Sequence, residues 1–592
     1  MSQLYFDALI VGAGFGGIYQ LHKLLSLGLS VKVIDFAGDV GGTWYWNRYP
    51  GAMSDTESFV YRYSWDKDDL QTYPWSHHYV KQPEVLAYLE HVVDKYDLRK
   101  HMQFNTEMVA ADWDDEAGVW RVEVSTGEVF AVRYLVTALG LLSKANYPDI
   151  PGIQDFQGEM CHTAKWRPEL DLTNKRVAVI GCGSTGVQVI TDIAKKVKTL
   201  TCFQRHPQYS VPSGDAPVSE EYREHINARY PEIMKQVRNS ICGFGFVESD
   251  TPYHAVPVEE REQVFEALWQ KGNGFRFMFG GFSDVSTDRE ANEAACAFIR
   301  NKIAQIVRDP QKANKLMPHD YYARRPLCDG GYYEQFNRDN VEIVDVNETP
   351  ITNITADGIQ VSDGTVHKLD VIIFATGFDA IDGNYNRVRI RGRDGKTLKQ
   401  HWDPRGPTSY LGAFVPGFPN LCMITGPQGP FSNIPPAIEI HVELISQMIE
   451  RAEQSRRRQQ QQSSGGGRGG QEGSKSVIEA LPEAEEEWLQ QCERAAEGSL
   501  FKETASWIFG NISQNVKGKK VALRFFFGGL AKYRQAVQAM VEDGYRGFKP
   551  LGEEKKEENS RGHVAPTDPV GRKPVPMTTI TSVSADLVEA QN

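Results

Sequence analysis

The chain lacks the features that mark disulfide-stabilised, membrane-spanning or nucleic-acid-binding proteins. Its eight cysteines stand singly, without a C-x-x-C pair, which argues against a disulfide framework, a zinc site of that type and a vicinal redox disulfide. No apolar run approaches the length of a membrane span. A formal net charge of −12 argues against a surface for nucleic acid or anionic lipid. We therefore expect a cytoplasmic protein with no metal, nucleic-acid or membrane partner.

The length and the local composition indicate several domains and two segments without a core. At 592 residues the chain predicts two to four domains. The tract 452–475 is rich in Gln, Ser and Gly, and the tail 549–592 is rich in charged residues, Pro, Thr and Ser. Neither composition can bury a core, so we predict a flexible insertion and a disordered tail.

A glycine-rich loop lies near the start of the chain, between a buried strand and a helix. Gly12, Gly14 and Gly17 form the pattern G-x-G-x-x-G, and the next strand ends at Asp35. This context makes an otherwise weak pattern a strong indication of dinucleotide binding, because the glycines let a pyrophosphate approach the helix N-terminus. Asp35 can accept hydrogen bonds from ribose hydroxyls and would repel a 2′-phosphate. The loop therefore suits FAD or NAD.

A second glycine-rich loop repeats the same pattern in the middle of the chain. Gly181, Gly183 and Gly186 follow a strand and open a helix, and the next strand ends at Gln204 and Arg205. An arginine in this place would pair with a 2′-phosphate. The alternative is an ordinary surface arginine, but its place at the strand end favours the ligand role. Together the two loops predict one FAD site and one NADPH site.

These patterns predict an α/β protein with two Rossmann-like dinucleotide-binding domains, one for FAD and one for NADP, with a helical insertion in the NADP domain. Residues 214–318 are mostly helical and polar in pattern, with helices expected at 222–237 and 291–307. The buried strand Val371–Phe374 is expected to return the chain to the first domain. The predicted ranges are 1–147 for the first part of the FAD domain, 148–337 for the NADP domain and 338–548 for the second part of the FAD domain.

The segment between the two loops carries the most specific motif of the chain. Phe156, Gly158, His162 and Trp166 form F-x-G-x-x-x-H-x-x-x-W. With the two loops, this motif resembles the fingerprint of type I Baeyer–Villiger monooxygenases, and the chain is most similar to their cyclohexanone monooxygenase branch. Further matching stretches are 41–51, 54–57, 324–329, 375–377 and 506–510. The resemblance runs from about residue 3 to 548 and fails in the 452–475 tract and the tail.

The resemblance implies a flavoprotein monooxygenase that uses NADPH and O₂. Such an enzyme converts ketones, cyclic ketones in the first place, to lactones or esters through a flavin C4a-peroxide. The implied partners are therefore a small-molecule ketone and O₂, with the chain acting as a monomer or a weak homo-oligomer. On this basis His162 and Trp166 are expected to be hinge or support residues. A role for His162 as catalytic base is the less favoured alternative.

The chemistry of an anionic peroxide in a dry site calls for a fixed cation, because burial alone favours the protonated form. At ~4 Å and an effective dielectric of about 20, a cation–anion contact is worth on the order of 4 kcal/mol. Arg325 is the candidate, since a guanidinium stays protonated. Asp55 is expected to orient it. The alternative, a structural surface pair, is less favoured because Asp55 follows the flavin loop.

The resemblance also assigns contacts to each cofactor and to the substrate. The expected FAD residues, beyond the first loop, are Thr43, Trp44, Trp46, Asp55 and Tyr61. The expected NADP residues, beyond the second loop and Arg205, are Ser54, Thr56, Ser184, Thr185, Gln188, Arg324 and Trp507. The expected substrate pocket contains Phe277, Phe431 and Ile434. Any apolar residue could instead belong to a core at those three positions.

Three other functions were compared with this one. An N- or S-oxygenating flavin monooxygenase is the nearest alternative, and Trp166 and Arg325 argue against it because a neutral hydroperoxide needs no such cation. A disulfide reductase would need a cysteine pair near the flavin. A non-catalytic nucleotide sensor would not need Asp55, Arg325 and the complete fingerprint.

Overall fold

The computed structural model describes residues 3–403, 405–464, 476–504, 506–509 and 522–551. Within them, the first sheet is built on parallel pairing of Gln3–Val11 with Val31–Ile34 and with Val129–Thr137. Its strand order is Arg389–Arg391, Met108–Asp114, Val119–Val124, Val129–Thr137, Gln3–Val11, Val31–Ile34 and Met102–Gln103, and Leu421–Met423 also pairs with Val129–Thr137. The consecutive residues Ala8 to Val11 of the strand Gln3–Val11 are all buried, so this part of the strand is covered on both faces, as in a doubly wound fold.

The second sheet is parallel throughout. Its strand order is Val341–Asp345, Thr199–Gln204, Arg176–Ile180, Val371–Phe374 and Glu159–His162. The fingerprint segment therefore contributes an edge strand of this sheet. Gly158 permits that pairing, because a Cβ there would lie 2.5 Å from the carbonyl oxygen of Asp370.

The predicted boundary at residue 337 is wrong. Val341–Asp345 and Val371–Phe374 belong to the second sheet, so the second domain continues to Phe374. The chain re-enters the first sheet only at Arg389–Arg391 and Leu421–Met423. The strand Val371–Phe374 is a fully buried apolar run, and such a run fits the centre of either sheet. Its sequence alone does not tell which one it joins.

The helices pack against both sheets and fill the insertion. The longer helices of the first domain are Phe15–Ser26, Gln82–Lys95, Ile434–Ser464, Pro482–Ala495 and Gly529–Glu542, and its shorter ones are Thr43–Trp46, Lys67–Thr72, Asp382–Tyr385 and Leu398–Trp402. The second domain has Ser184–Ile193 and Tyr332–Gln335. Between them lie Glu220–Ala228, Tyr230–Arg238, Val258–Lys271, Gly274–Phe279, Arg289–Ile306 and Pro310–Leu316. Short strand pairs are Lys144–Ala145 with Phe378–Asp379, Ser210–Pro212 with Leu327–Asp329, and Gly429–Pro430 with Phe525–Phe526, and Ile351–Thr355, Gly358–Val361 and Val366–Lys368 form a small antiparallel sheet.

The helix expected at 222–237 is two helices in the structure. The break falls at Arg229, whose φ of −116° and ψ of 9° are not helical. Pro231 lies in the first turn of the second helix, where its missing N–H costs nothing. The helix expected at 291–307 is present as Arg289–Ile306.

The tract 452–475 is helical in its first part. The helix Ile434–Ser464 continues through it, with Ala452 fully buried and Glu453 4% exposed. Glu453 pairs with Arg133 at 3.1 Å and accepts a hydrogen bond from Tyr134 at 3.0 Å. Residues 465–475, and the tail from 552 onward, lie outside the described residues.

Candidate functional site

A cavity of about 860 Å³ lies between the two domains and is lined by both glycine loops. Residues of the first loop, the segment 41–56 and the N-terminus of helix Ser184–Ile193 reach it from three sides. Arg325 and the aromatic residues of the insertion close it further. No helix in the described part of the chain is both long and apolar enough to cross a membrane.

The first loop has the close backbone contacts that its glycines predict. Gly12 has φ +113°, in the region that favours glycine. A Cβ on Gly17 would lie 1.7 Å from the carbonyl oxygen of Gly12, and one on Gly14 would lie 3.3 Å from the Cα of Gly42. The helix Phe15–Ser26 begins without a side-chain cap and without an acidic residue in its first turn. Its free N–H groups can therefore face a phosphate.

Asp35 lines the cavity at the end of the second strand. Its carboxylate accepts hydrogen bonds from the backbone N–H groups of Ala13 at 2.6 Å and Ala37 at 2.7 Å. Burial raises the pKa of Asp35, and these two N–H groups oppose that rise. Each carboxylate oxygen keeps a second lone pair for a ribose hydroxyl.

The second loop repeats this geometry but is open above its middle glycine. Gly181 has φ +105°, and a Cβ on Gly186 would lie 2.1 Å from the Gly181 carbonyl oxygen. A Cβ on Gly183 would meet nothing within 4 Å. The helix Ser184–Ile193 also begins without a side-chain cap or an acidic first turn. Ser184, Thr185 and Gln188 line the cavity with Gly183.

Arg205 and Arg324 both lie near His206 and near Cys182 of the second loop, although neither lines the cavity. Burial, followed by the charges of Arg324 and Arg205, lowers the pKa of His206, and both arginines also act on the buried thiol of Cys182. Arg205 is exposed, and Arg324 forms an ion pair with Asp320. Two cations beside the second loop, and an aspartate at the first, match the requirements of NADP and FAD respectively.

Asp55 and Arg325 form the ion pair that the sequence predicts. Arg325 Nη1 lies 2.5 Å from Asp55 Oδ2, and the guanidinium lies over the Phe275 ring at 5.3 Å. The Asp55 side chain is 4% exposed, while that of Arg325 is 31% exposed and faces the cavity. Burial alone would lower the pKa of Arg325, but the Asp55 carboxylate raises it above its usual value. The pair therefore presents a permanent cation to the cavity.

The segment 41–61 lines the cavity with aromatic and hydroxyl groups. Thr43, Trp44, Trp46 and Tyr61 all face it. Trp44 Nε1 donates to the Tyr61 hydroxyl at 3.2 Å. Gly42 has φ +53°, which allows this segment to cover the first loop.

Three further predicted NADP residues line the same cavity. Ser54 Oγ accepts a hydrogen bond from the Thr56 N–H at 3.0 Å, which fixes the turn that carries Asp55. Trp507 packs edge-on against Phe525, with ring centroids 5.8 Å apart. These positions bring Ser54, Thr56 and Trp507 together with the second loop.

The apolar end of the cavity differs from the expectation at one position. Phe431 and Ile434 line it, whereas Phe277 does not. Phe277 is fully buried in the insertion core, between Phe265 and Phe298. Phe275 and Phe279 of its short helix line the cavity instead, together with Phe244 and Asn433 from other segments. Sequence reasoning missed these four residues, because nothing in their spacing separates them from core positions.

The fingerprint side chains lie outside the cavity as far as the described residues show. Phe156, His162 and Trp166 are all buried within the second domain. Burial lowers the pKa of His162 to about 4, so its imidazole is neutral at ordinary pH. Its Nδ1 accepts a hydrogen bond from the Ala164 N–H at 3.1 Å. This placement argues against His162 as a catalytic base and for support of the edge strand.

Comparisons with known proteins agree with this geometry. Residues 7–211 match the flavin-binding monooxygenase-like family model. A Baeyer–Villiger monooxygenase of Pseudooceanicola batsensis is 49% identical over 91% of this chain and 95% of its own length. The phenazine N-monooxygenase PhzNO1 of Lysobacter antibioticus is 48% identical over 92% of this chain and 97% of its own. The structure of cyclohexanone monooxygenase from Rhodococcus sp. Phi1 bound to NADP⁺ is 51% identical, with a TM-score of 0.88, covering 93% of this chain and 99% of that one.

The two dinucleotide domains and the cavity between them define a flavin- and NADP-dependent monooxygenase. The chain belongs to the Baeyer–Villiger monooxygenases. It uses FAD and NADPH, and its fold is that of cyclohexanone monooxygenase.

Proposed function

We propose that this chain oxygenates cyclic ketones to lactones in the cavity described above, with Arg325 as the catalytic cation. The single observation that carries the proposal is the Asp55–Arg325 pair at the wall of a cavity reached by both glycine loops. The overall reaction consumes one ketone, NADPH, a proton and O₂, and yields one lactone, NADP⁺ and water.

Bound FAD, reduced by NADPH, would supply the activated oxygen, and the chain supplies charge, position and dryness. Arg325 is placed to stabilise negative charge that develops on the ketone oxygen and on the reacting oxygen. Asp55 holds the guanidinium by the 2.5 Å contact and so acts as a positioning residue. The adjacent Phe275 ring limits water around the cation.

We further propose how the cofactors are held. The first loop, Asp35 and the segment 43–61 fit FAD, because the uncapped helix N-terminus faces the cavity and Asp35 has spare acceptor positions. The second loop fits the NADP pyrophosphate, and Arg205 with Arg324 fits its 2′-phosphate. Aromatic residues at the far end of the cavity, with Phe431 and Ile434, suit an apolar ring substrate.

The test is product analysis with the purified holoenzyme, NADPH and O₂. Cyclic ketones of increasing ring size and matched linear ketones would be supplied at equal concentration. We expect lactone formation from cyclic ketones to exceed ester formation from linear ones. Faster turnover of linear ketones would contradict the proposed substrate class while leaving ketone oxygenation intact.

A second candidate activity is N-oxygenation of aromatic heterocycles, supported by the 48% identity to a phenazine N-monooxygenase. Phenazine incubated beside the ketone panel tests it directly. An N-oxide formed faster than any lactone would make N-oxygenation the main activity.

The free and buried state of all eight cysteines supports the proposed cytoplasmic location, and the monomeric or weakly associating state stays a prediction.

A further inference from the structure

Tyr49 and Gln188 join the two domains across the cavity. Tyr49 belongs to the segment that follows the flavin-side helix Thr43–Trp46, and Gln188 belongs to the helix Ser184–Ile193 of the second domain. The Tyr49 hydroxyl lies 2.8 Å from Gln188 Oε1, and Gln188 Nε2 lies 3.2 Å from the Met53 carbonyl oxygen. Both side chains line the cavity.

The direction of both hydrogen bonds is fixed by chemistry. A backbone carbonyl only accepts, so the Gln188 nitrogen must face Met53 and its oxygen must face Tyr49. Tyr49 is therefore the donor. Burial raises the pKa of Tyr49 to about 12, with Thr185 opposing the rise, so the hydroxyl keeps its proton at working pH. One amide thus bridges two points of the segment 49–53.

The backbones of the two domains also touch at this place. Gly51 has φ +82°, and a Cβ there would lie 2.5 Å from the Gln188 carbonyl oxygen and 3.1 Å from Asp192 Cβ. The segment 49–53 is thus held against the helix on both sides of Gly51. Two residues after Met53 comes Asp55, which holds Arg325.

We infer that Tyr49 and Gln188 are a positioning pair, which couples occupation of the NADP loop to the placement of the Asp55–Arg325 pair. The inference rests on the proposed placement of NADP at the second glycine loop. When the helix Ser184–Ile193 is held by its nucleotide, the bridge holds the segment 49–53, and this segment holds Asp55. The pair therefore acts on retention of NADP⁺ and on the fraction of turnovers that reach the ketone.

The test uses the oxidised FAD holoenzyme, titrated with NADP⁺, and the Tyr49→Phe and Gln188→Leu variants with their double variant. Tyr49→Phe, which loses one hydrogen bond of the bridge, should raise the Kd of NADP⁺ about fivefold, and Gln188→Leu, which loses both, should raise it at least as much. The Kd of NADP⁺ in the double variant should be no higher than in Gln188→Leu alone, because Gln188→Leu already lacks the whole bridge. Hydrogen peroxide released per NADPH consumed should rise in the same order.

Tyr410→Phe is the matched control, since the Tyr410 hydroxyl donates to the Arg546 carbonyl oxygen at 3.0 Å within the first domain. It should leave the Kd and the peroxide fraction unchanged. A Kd within twofold of wild type in Tyr49→Phe, additive effects in the double variant, or loss of FAD from Tyr49→Phe would each overturn the inference. Arg205→Ala distinguishes failure of the NADP placement from failure of the bridge. An unchanged Kd of NADP⁺ in Arg205→Ala would refute the NADP placement itself. A raised Kd in Arg205→Ala together with an unchanged Kd in Tyr49→Phe would refute only the bridge.

Discussion

The two glycine loops have the same backbone conformation but differ in what is packed over them. Each starts with a glycine of strongly positive φ and ends with a glycine whose Cβ would strike the first one's carbonyl oxygen. Over the first loop lies Gly42, against which a Gly14 Cβ would stand at 3.3 Å, while Gly183 in the second loop has open space. The shared geometry makes both loops fit a pyrophosphate. The difference in cover suits a first nucleotide that stays bound and a second that exchanges.

The loops also differ in the residue that ends the following strand. Asp35 is tied to its own loop by two backbone N–H groups, whereas Arg205 is exposed beside Arg324. On the proposed placement of the cofactors, the loop geometry sets where a dinucleotide lies, and the residue at the strand end sets which dinucleotide it is. The Asp55–Arg325 pair draws one residue from each domain.

Arg325→Ala should have the largest effect on the rate of lactone formation, because it removes the cation that lies where the two domains meet. Loss of one preorganised charge-stabilising group costs on the order of a hundredfold to a thousandfold in rate. Lactone formation should fall by that factor, while NADPH still reduces the flavin, which flavin absorbance would show. Arg325→Lys keeps the charge but not the guanidinium fork, so its rate of lactone formation should lie between those of the wild type and Arg325→Ala. Lactone formation by Arg325→Ala near the wild-type rate would contradict the assigned role.

Gly17→Ala and Gly183→Ala should separate the two loops. A Cβ at residue 17 would collide with backbone at 1.7 Å, whereas one at residue 183 meets nothing within 4 Å. We expect Gly17→Ala to lose FAD during gel filtration, and Gly183→Ala to keep FAD and its melting temperature but to bind NADPH about tenfold more weakly. Equal FAD content in both variants would show that the loops are not distinguished by their packing.

Arg205→Ala should sharpen the comparison at the strand ends. Removing a hydrogen bond to a charged group costs about 1.5–3 kcal/mol, so the ratio of kcat/KM for NADPH over NADH should fall at least about tenfold. Lys198→Ala, at the opposite end of the same strand, is the control with an exposed cation removed. An unchanged cofactor ratio in Arg205→Ala would exclude the phosphate contact.

Glu439→Gln should give the smallest effect and extends the comparison to a buried carboxyl group outside the main cavity. Like Asp35, Glu439 accepts a backbone N–H, that of Ser64 at 2.5 Å, and burial raises its pKa to about 7. Glu443 adds to this rise and Arg238 opposes it. Between pH 4.5 and 7 the folded state binds the proton and the unfolded state does not, so wild-type stability falls as the pH rises.

Glu439→Gln should remove that fall, which amounts to at most about 3 kcal/mol between pH 5 and pH 8. Urea unfolding of both proteins at the two pH values measures it. Glu450→Gln, an exposed position on the same helix, should keep the wild-type pH dependence. If Glu439→Gln also loses stability between pH 5 and pH 8, another group is responsible.

The sequence predicted the local units well, because loops and strand ends carry their own geometry. Both glycine loops and Asp35 line the cavity, and Asp55 pairs with Arg325, as the local patterns and the family motif predict. Arg205 follows the strand Thr199–Gln204 but does not line the cavity. What failed depends on contacts between distant segments. Val371–Phe374 could have joined either sheet, and only its pairing with Arg176–Ile180 and Glu159–His162 decides which.

The same reason explains the errors at single residues. Phe277 and Phe275 are two positions apart on one short helix, and only packing decides that Phe277 enters the core and Phe275 the cavity. Glu453 lies in a tract of polar composition, but Arg133 and Tyr134 from a remote strand bury it. Composition and periodicity describe a segment on its own, so they do not contain these partners.

The eight buried cysteines have a consequence for the lifetime of the enzyme. An oxygenase that misses its substrate releases hydrogen peroxide, which attacks thiolates first. Burial raises the pKa of every cysteine in the chain, including Cys242 at the cavity wall. The folded protein thus offers almost no thiolate to its own by-product. We therefore expect the folded protein to resist oxidation by the hydrogen peroxide that it releases, and we expect unfolding to remove this protection.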